Sequence, residues 1–66
     1  MESKTLNSFK GFSIEKSYDL DTNERIDKET VVYSAYDKEG DLFDSNTDLD
    51  ILKRLITSYI LDKRLH

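Results

Sequence analysis

The sequence has 66 residues, no cysteine and a formal net charge of −4. A chain of this length supports one domain with one small core, and without cysteine neither a disulfide framework nor a thiolate metal site is open to it. No apolar run reaches membrane-spanning length and none resembles a signal-peptide core near Met1, which points to a cytoplasmic chain; the acidic balance disfavours nucleic acid and anionic membrane, since both reward a basic face.

Residues 1–9 show weak patterning and read as a loose tail. From residue 12 the chain alternates: Phe12, Ile14, Tyr18 and Leu20 take every second place, broken only by Lys16. That period of two, with aromatic and β-branched residues, predicts a half-buried strand over residues 12–20. A polar stretch, DLDTNERIDKE, follows at residues 19–29. Asp19, Asp21 and Asn23 have the spacing with which an EF-hand loop begins, and Ile26 fits its apolar eighth position. Glu24 stands where that loop needs glycine, Thr30 where it needs the closing glutamate, and strand patterns flank it instead of helices. The expectation is therefore a hairpin loop with no metal, its tip at Thr22-Asn23-Glu24.

A second strand is predicted over residues 30–37, where Val31, Tyr33 and Ala35 form the more continuously apolar set, expected to face the helix. Val32 and Tyr36 then lie on the other face. Asp37-Lys38-Glu39-Gly40 reads as a tight turn, with Gly40 free to take positive φ, and residues 42–44 as a short third strand. A helix is predicted over residues 47–63. Ser45, Asn46 or Thr47 can cap it, Asp48 and Asp50 meet the positive end of its dipole, and Lys63 and Arg64 meet the negative end. Leu49, Leu52, Leu55, Ile56, Tyr59 and Ile60 fall on one stripe at helical spacing, with Ile51 at its margin. The expected fold is a two-layer α+β domain, a three-stranded antiparallel meander covered by one C-terminal helix.

Charge is polarised along the last third of the chain. Asp37, Glu39, Asp41, Asp44, Asp48 and Asp50 stand against Lys38 alone in residues 37–50, whereas Lys53, Arg54, Lys63 and Arg64 stand against Asp62 beyond. Catalysis has few materials. The one histidine is His66, the glycines are Gly11 and Gly40, and neither a phosphate loop nor a nucleophile with a base is present. General acid–base work by the many carboxylates would need one buried in a cleft. No catalytic residue, cofactor or metal ligand is assigned.

What remains is binding. The first expectation is a protein partner with a basic surface, contacted through Tyr36, Asp37, Glu39, Asp41 and Asp44, with Leu61 and Leu65, opposite the helix stripe, as a second contact set. The alternative is nucleic acid held by Lys53, Arg54, Lys63 and Arg64 on the helix. A third reading is a homo-oligomer, such as a dimer, because a small core gains from shared surface.

At KGFSIEK and YSAYDKEGDLFDSNTDLDILKRLI the sequence resembles short proteins of phages, prophages and other mobile elements. Those proteins combine a Lys-Gly-Phe/Tyr opening strand, a Tyr-Asp-x-x-Gly hairpin, a short strand and one helix. The resemblance implies an accessory factor that acts in the host cytoplasm on host or phage machinery; some small acidic examples, such as anti-CRISPR proteins, inhibit defence complexes. It carries over no catalytic or ligand residues.

Overall fold

The computed structural model describes residues 1–64. In chain order its elements are β1 (Glu2–Thr5), β2 (Ser13–Tyr18), a 3₁₀ turn (Lys28–Thr30), β3 (Val32–Tyr36), β4 (Leu42–Asn46) and α1 (Leu49–Arg64). The strands form one antiparallel sheet in the order β1-β2-β3-β4, and α1 packs on one of its faces. The class is α+β, but with four strands where the sequence predicts three.

The additional strand lies within the predicted tail. All four β1 residues are exposed, so no hydrophobic alternation marks the strand; pairing creates it. The pairing begins at Phe9-Lys10-Gly11-Phe12, where the N–H of Phe9 and the N–H of Phe12 each donate to the other's carbonyl at 2.9 Å. Lys10 and Gly11 both have positive φ, 50° and 87°. Two consecutive positive φ values mark the mirror-image turn whose twist suits a hairpin. The Leu6 N–H then donates to the Ile14 carbonyl at 2.8 Å, and the ladder runs on to Glu2 opposite Tyr18.

Ile14 and Ala35 are partners on β2 and β3. Together with Phe12, Leu52 and Ile56 they form the buried core, against which Leu6, Phe9, Tyr33, Phe43, Leu49 and Ile60 pack. Full burial of Ile14, Leu52 and Ile56 contributes about 1.5–3 kcal/mol each. Of the predicted odd set, Ala35 is in the core and Tyr33 packs against it, while Val31 precedes β3. The helical stripe is narrower than predicted: Leu55 and Tyr59 remain 37% and 42% exposed.

Two boundaries move for local reasons. The predicted start of β3 at residue 30 is occupied by the 3₁₀ turn, whose N–H at Glu29 is held by the Asp27 carboxylate. The Thr30 hydroxyl donates to the Asp27 carbonyl and accepts the Asp19 N–H. The helix starts at Leu49 because Asp48, not Ser45, Asn46 or Thr47, caps it. The Asp48 carboxylate accepts from the N–H groups of Asp50 and Ile51, while its carbonyl takes the N–H of Leu52. The side chain of Asn46 in turn accepts the Asp48 N–H at 2.8 Å.

β4 runs on to Asn46 and carries a bulge. Asp44 is opposite Ala35 and Leu42 opposite Tyr36, so Phe43 is the extra residue. Ser45 fixes the phase of the strand, since its hydroxyl meets that of Ser34 at 3.1 Å. Strict alternation from Ser45 would place Phe43 with the serines. The extra residue breaks that phase, and Phe43 packs against the core.

The molecule is 50 Å long but only 21 and 16 Å in the other directions. A 16-residue helix spans about 24 Å, so α1 covers at most about half of that length.

Candidate functional site

Of the contacts predicted from sequence, Asp37 and Glu39 line a groove that the C-terminal part of α1 also borders. The β3–β4 tip forms one wall, the last turns of α1 form another, and the Lys10-Gly11 turn closes the third side. Between them is an open groove of about 500 Å³ with Phe12, Tyr59 and Ile60 in its lining and Lys10, Lys38, Lys63 and Glu39 around it.

The tip is built by one side chain. The Asp37 carboxylate accepts from the N–H groups of Glu39 and Asp41, at 2.9 and 3.0 Å. The Asp37 N–H donates to the Asp41 carbonyl, the Gly40 N–H donates to the Asp37 carbonyl, and Gly40 takes φ of 85°. Asp37 thus has a structural task, which leaves Glu39 and Asp41 as the more available charges. One carboxylate oxygen from each of Asp37, Glu39 and Asp41 lies within 4.8 Å of the others. Three like charges this close produce a concentrated negative field at the tip.

The groove's lining rings, Phe12 and Tyr59, both pack on Phe43, which is not itself in the lining. Ring centroids of Phe12 and Phe43 are 5.1 Å apart, those of Phe43 and Tyr59 5.1 Å, and those of Phe12 and Tyr59 6.2 Å in an edge-on arrangement. Tilted and edge-on pairs at these distances add to the area they bury. The Lys63 ammonium sits 5.4 Å from the centre of the Tyr59 ring, in the range of a cation–π contact.

The remaining predicted contacts are scattered. Tyr36 is half-buried, opposite Ser13 on one side and Leu42 on the other, and Leu42 is 59% exposed. The Asp44 carboxylate accepts its neighbour Ser45's N–H. Leu61 is 54% exposed and lines a small recess beside Lys10, Ile60 and Arg64, continuous in sequence with the groove wall. Leu65 lies outside the described residues.

The basic residues of α1 form two pairs rather than one patch. Lys53-Arg54 and Lys63-Arg64 are ten positions apart, about 15 Å along the axis. The Lys53 ammonium lies over the Phe9 ring at 5.4 Å, so its charge is directed toward the β1–β2 turn.

The stretch with EF-hand spacing folds as the end of the β2–β3 hairpin. Leu20 and Ile26 form a bridge, and the Asp21 carboxylate accepts the N–H groups of Asn23 and Arg25. A strand leads in and the 3₁₀ turn leads out.

Sequence reasoning did not anticipate Lys10, Lys38 or Phe43 at this site. Phe-Lys-Gly-Phe, two aromatics around a dipeptide ending in glycine, was the available signal for the first turn. Nothing local signals Phe43, because a bulge is a property of the pairing. Among the described residues no polar or charged side chain is buried, and no helix is long and apolar enough to cross a membrane. Comparison with protein-family models, curated proteins and solved structures finds no match to this chain.

Proposed function

We propose that this chain is a non-enzymatic interaction module that binds another protein and thereby modulates or inhibits a larger complex. The observation that carries the reading is the juxtaposition of the Asp37, Glu39 and Asp41 carboxylates with a groove lined by Phe12 and Tyr59. The carboxylates of the tip attract basic groups of a partner, the rim lysines Lys10, Lys38 and Lys63 face its acidic ones, and an apolar side chain of the partner seated on the rings supplies affinity. Leu61 and Lys63 border the same area and extend the contact. Among the described residues no ionisable side chain is buried, which speaks against an acid–base centre, since such a centre needs a group taken out of water. The resemblance to mobile-element proteins supports an accessory role in a host cytoplasm.

The test is a pull-down from host lysate with the native chain and with a Glu39→Gln, Asp41→Asn variant. A specific protein retained by the native chain and lost by the variant supports the reading. Recovery of nucleic acid, abolished by Lys53→Glu with Arg54→Glu, would replace it with the nucleic-acid alternative.

A further inference from the structure

The sheet has two free edges, β1 and β4, and they differ in how they would receive another strand. β4 is bulged at Phe43, carries Asp44, and is preceded directly by Asp41. Pairing β4 with itself would bring like charges together on a bent strand, both of which discourage association. β1 is regular, with its four residues in unbroken register against β2, and all four are exposed.

The charges on β1 are in phase. Glu2 and Lys4 are two residues apart, so both belong to one face of the sheet, the face of their partners Tyr18 and Lys16. Lys4 stands directly opposite Lys16, and like charges in that position are destabilising. Among the described residues neither lysine has a carboxylate at ion-pair distance. The monomer therefore leaves two ammoniums without a carboxylate beside an open edge, and of the two Lys16 has the Tyr18 ring 5.8 Å away.

The backbone limits the registers a second strand could take, and charge chooses among them. The Leu6 N–H donates to Ile14, so the even-numbered residues of β1 turn their backbone groups toward β2, and Ser3 and Thr5 present theirs outward. An antiparallel copy centred on Ser3 sets Ser3 against its own counterpart and Thr5 against Met1 of the second copy. The same register sets Glu2 opposite Lys4 of the second copy, and Lys4 opposite its Glu2. Centring on Lys4 instead would face Lys4 with itself.

We propose that β1 is a self-association edge, through which two copies form one continuous sheet of eight strands, four from each, with reciprocal Glu2–Lys4 pairs across a two-fold axis at Ser3. The occupant is a second copy of this chain because the edge is its own charge complement. Each Lys4 then has a carboxylate on the side away from Lys16. A four-residue ladder buries less than the roughly 1,000 Å² expected of a persistent interface, so the dimer is a weak one that forms at high protein concentration and loosens with salt.

Sedimentation of the full chain over about 10 µM to about 1 mM, a range chosen for weak association, tests this together with amide exchange. The expected result is reversible dimerisation with Ser3 and Thr5 amides gaining protection as concentration rises. Glu2→Lys and Lys4→Glu should each weaken dimerisation at least tenfold, with unchanged circular dichroism. An equimolar mixture of the two variants should associate, since one then offers two lysines and the other two glutamates, and the doubly swapped chain should recover native behaviour. A chain monomeric throughout the range overturns the proposal, as does dimerisation that survives both single changes or a mixture that fails to associate.

Discussion

The two hairpin ends at Asp21–Arg25 and Asp37–Asp41 have one architecture in two settings. In both, an aspartate opens the turn, and its carboxylate accepts the N–H groups two and four residues on. In both, the N–H of the aspartate donates to the carbonyl four residues later, and the N–H three residues later returns to its own carbonyl. The fourth position takes positive φ, 60° at Glu24 and 85° at Gly40. This is a three-residue hairpin loop in which a turn is closed by a left-handed residue. The lesson is that alternating acidic residues can mark a turn that uses its own backbone as the ligand set. The ends differ in what surrounds them. Asp37–Asp41 lies against the aromatic groove and α1, while Asp21–Arg25 closes the distal end of β2–β3, joined to it by the Leu20–Ile26 bridge.

Changes directed at this difference should separate the two ends. Phe43→Ala removes the ring that links β4 to Phe12 and Tyr59, and should cost about 2–3 kcal/mol, somewhat below a fully buried phenylalanine. Urea unfolding gives the magnitude. Amide exchange should show the Asp37–Asp41 end opening more readily while Asp21–Arg25 keeps its native protection; equal loosening of both would break the contrast. Gly40→Ala should cost about 1–2 kcal/mol, lowering Tm by several degrees. Nothing lies within 4 Å of the added Cβ, so the loss is one of backbone conformation.

Removing the organising carboxylates should have smaller effects. Asp37→Ala is expected to cost about 1 kcal/mol and Asp21→Ala about half that, because water replaces the lost acceptor more freely at the exposed end. Matched denaturation curves decide the order, and a larger loss at Asp21 would reverse the assignment of the better-anchored end. The smallest change runs the other way. Glu24→Gly relieves a left-handed non-glycine residue, but glycine also gains freedom in the unfolded chain, for a net stabilisation of about 0.5 kcal/mol. A thermal scan reading a higher Tm would show that the two ends share one strained position.

Much of this fold is written locally. The helix was legible because Leu49, Leu52, Ile56 and Ile60 repeat at its period and its two ends carry matching charge. The Asp37–Asp41 turn was legible through Asp-x-x-Gly, and the inward face of β3 through Tyr33 and Ala35. The equivalent turn at Asp21 was harder to see because Glu24 stands where Gly40 does, and its spacing suggested a metal loop. β1 was missed because Glu-Ser-Lys-Thr is exposed on both faces of an edge strand; with nothing to bury, such a strand has no alternation to read.

By itself, then, the sequence determined the class, one helix against an antiparallel sheet, together with the core face of β3 and the polarity of charge along the last third. These are set by side-chain period and by residue types acting within a few positions of themselves. Only the tertiary structure decided that residues 2–5 pair as a fourth strand, that a bulge places Phe43 beside Phe12 and Tyr59, and that the acidic tip and the helix end share one groove. Each of those depends on contacts between segments far apart in the chain, where the free energy of pairing overrides a local pattern too weak to oppose it.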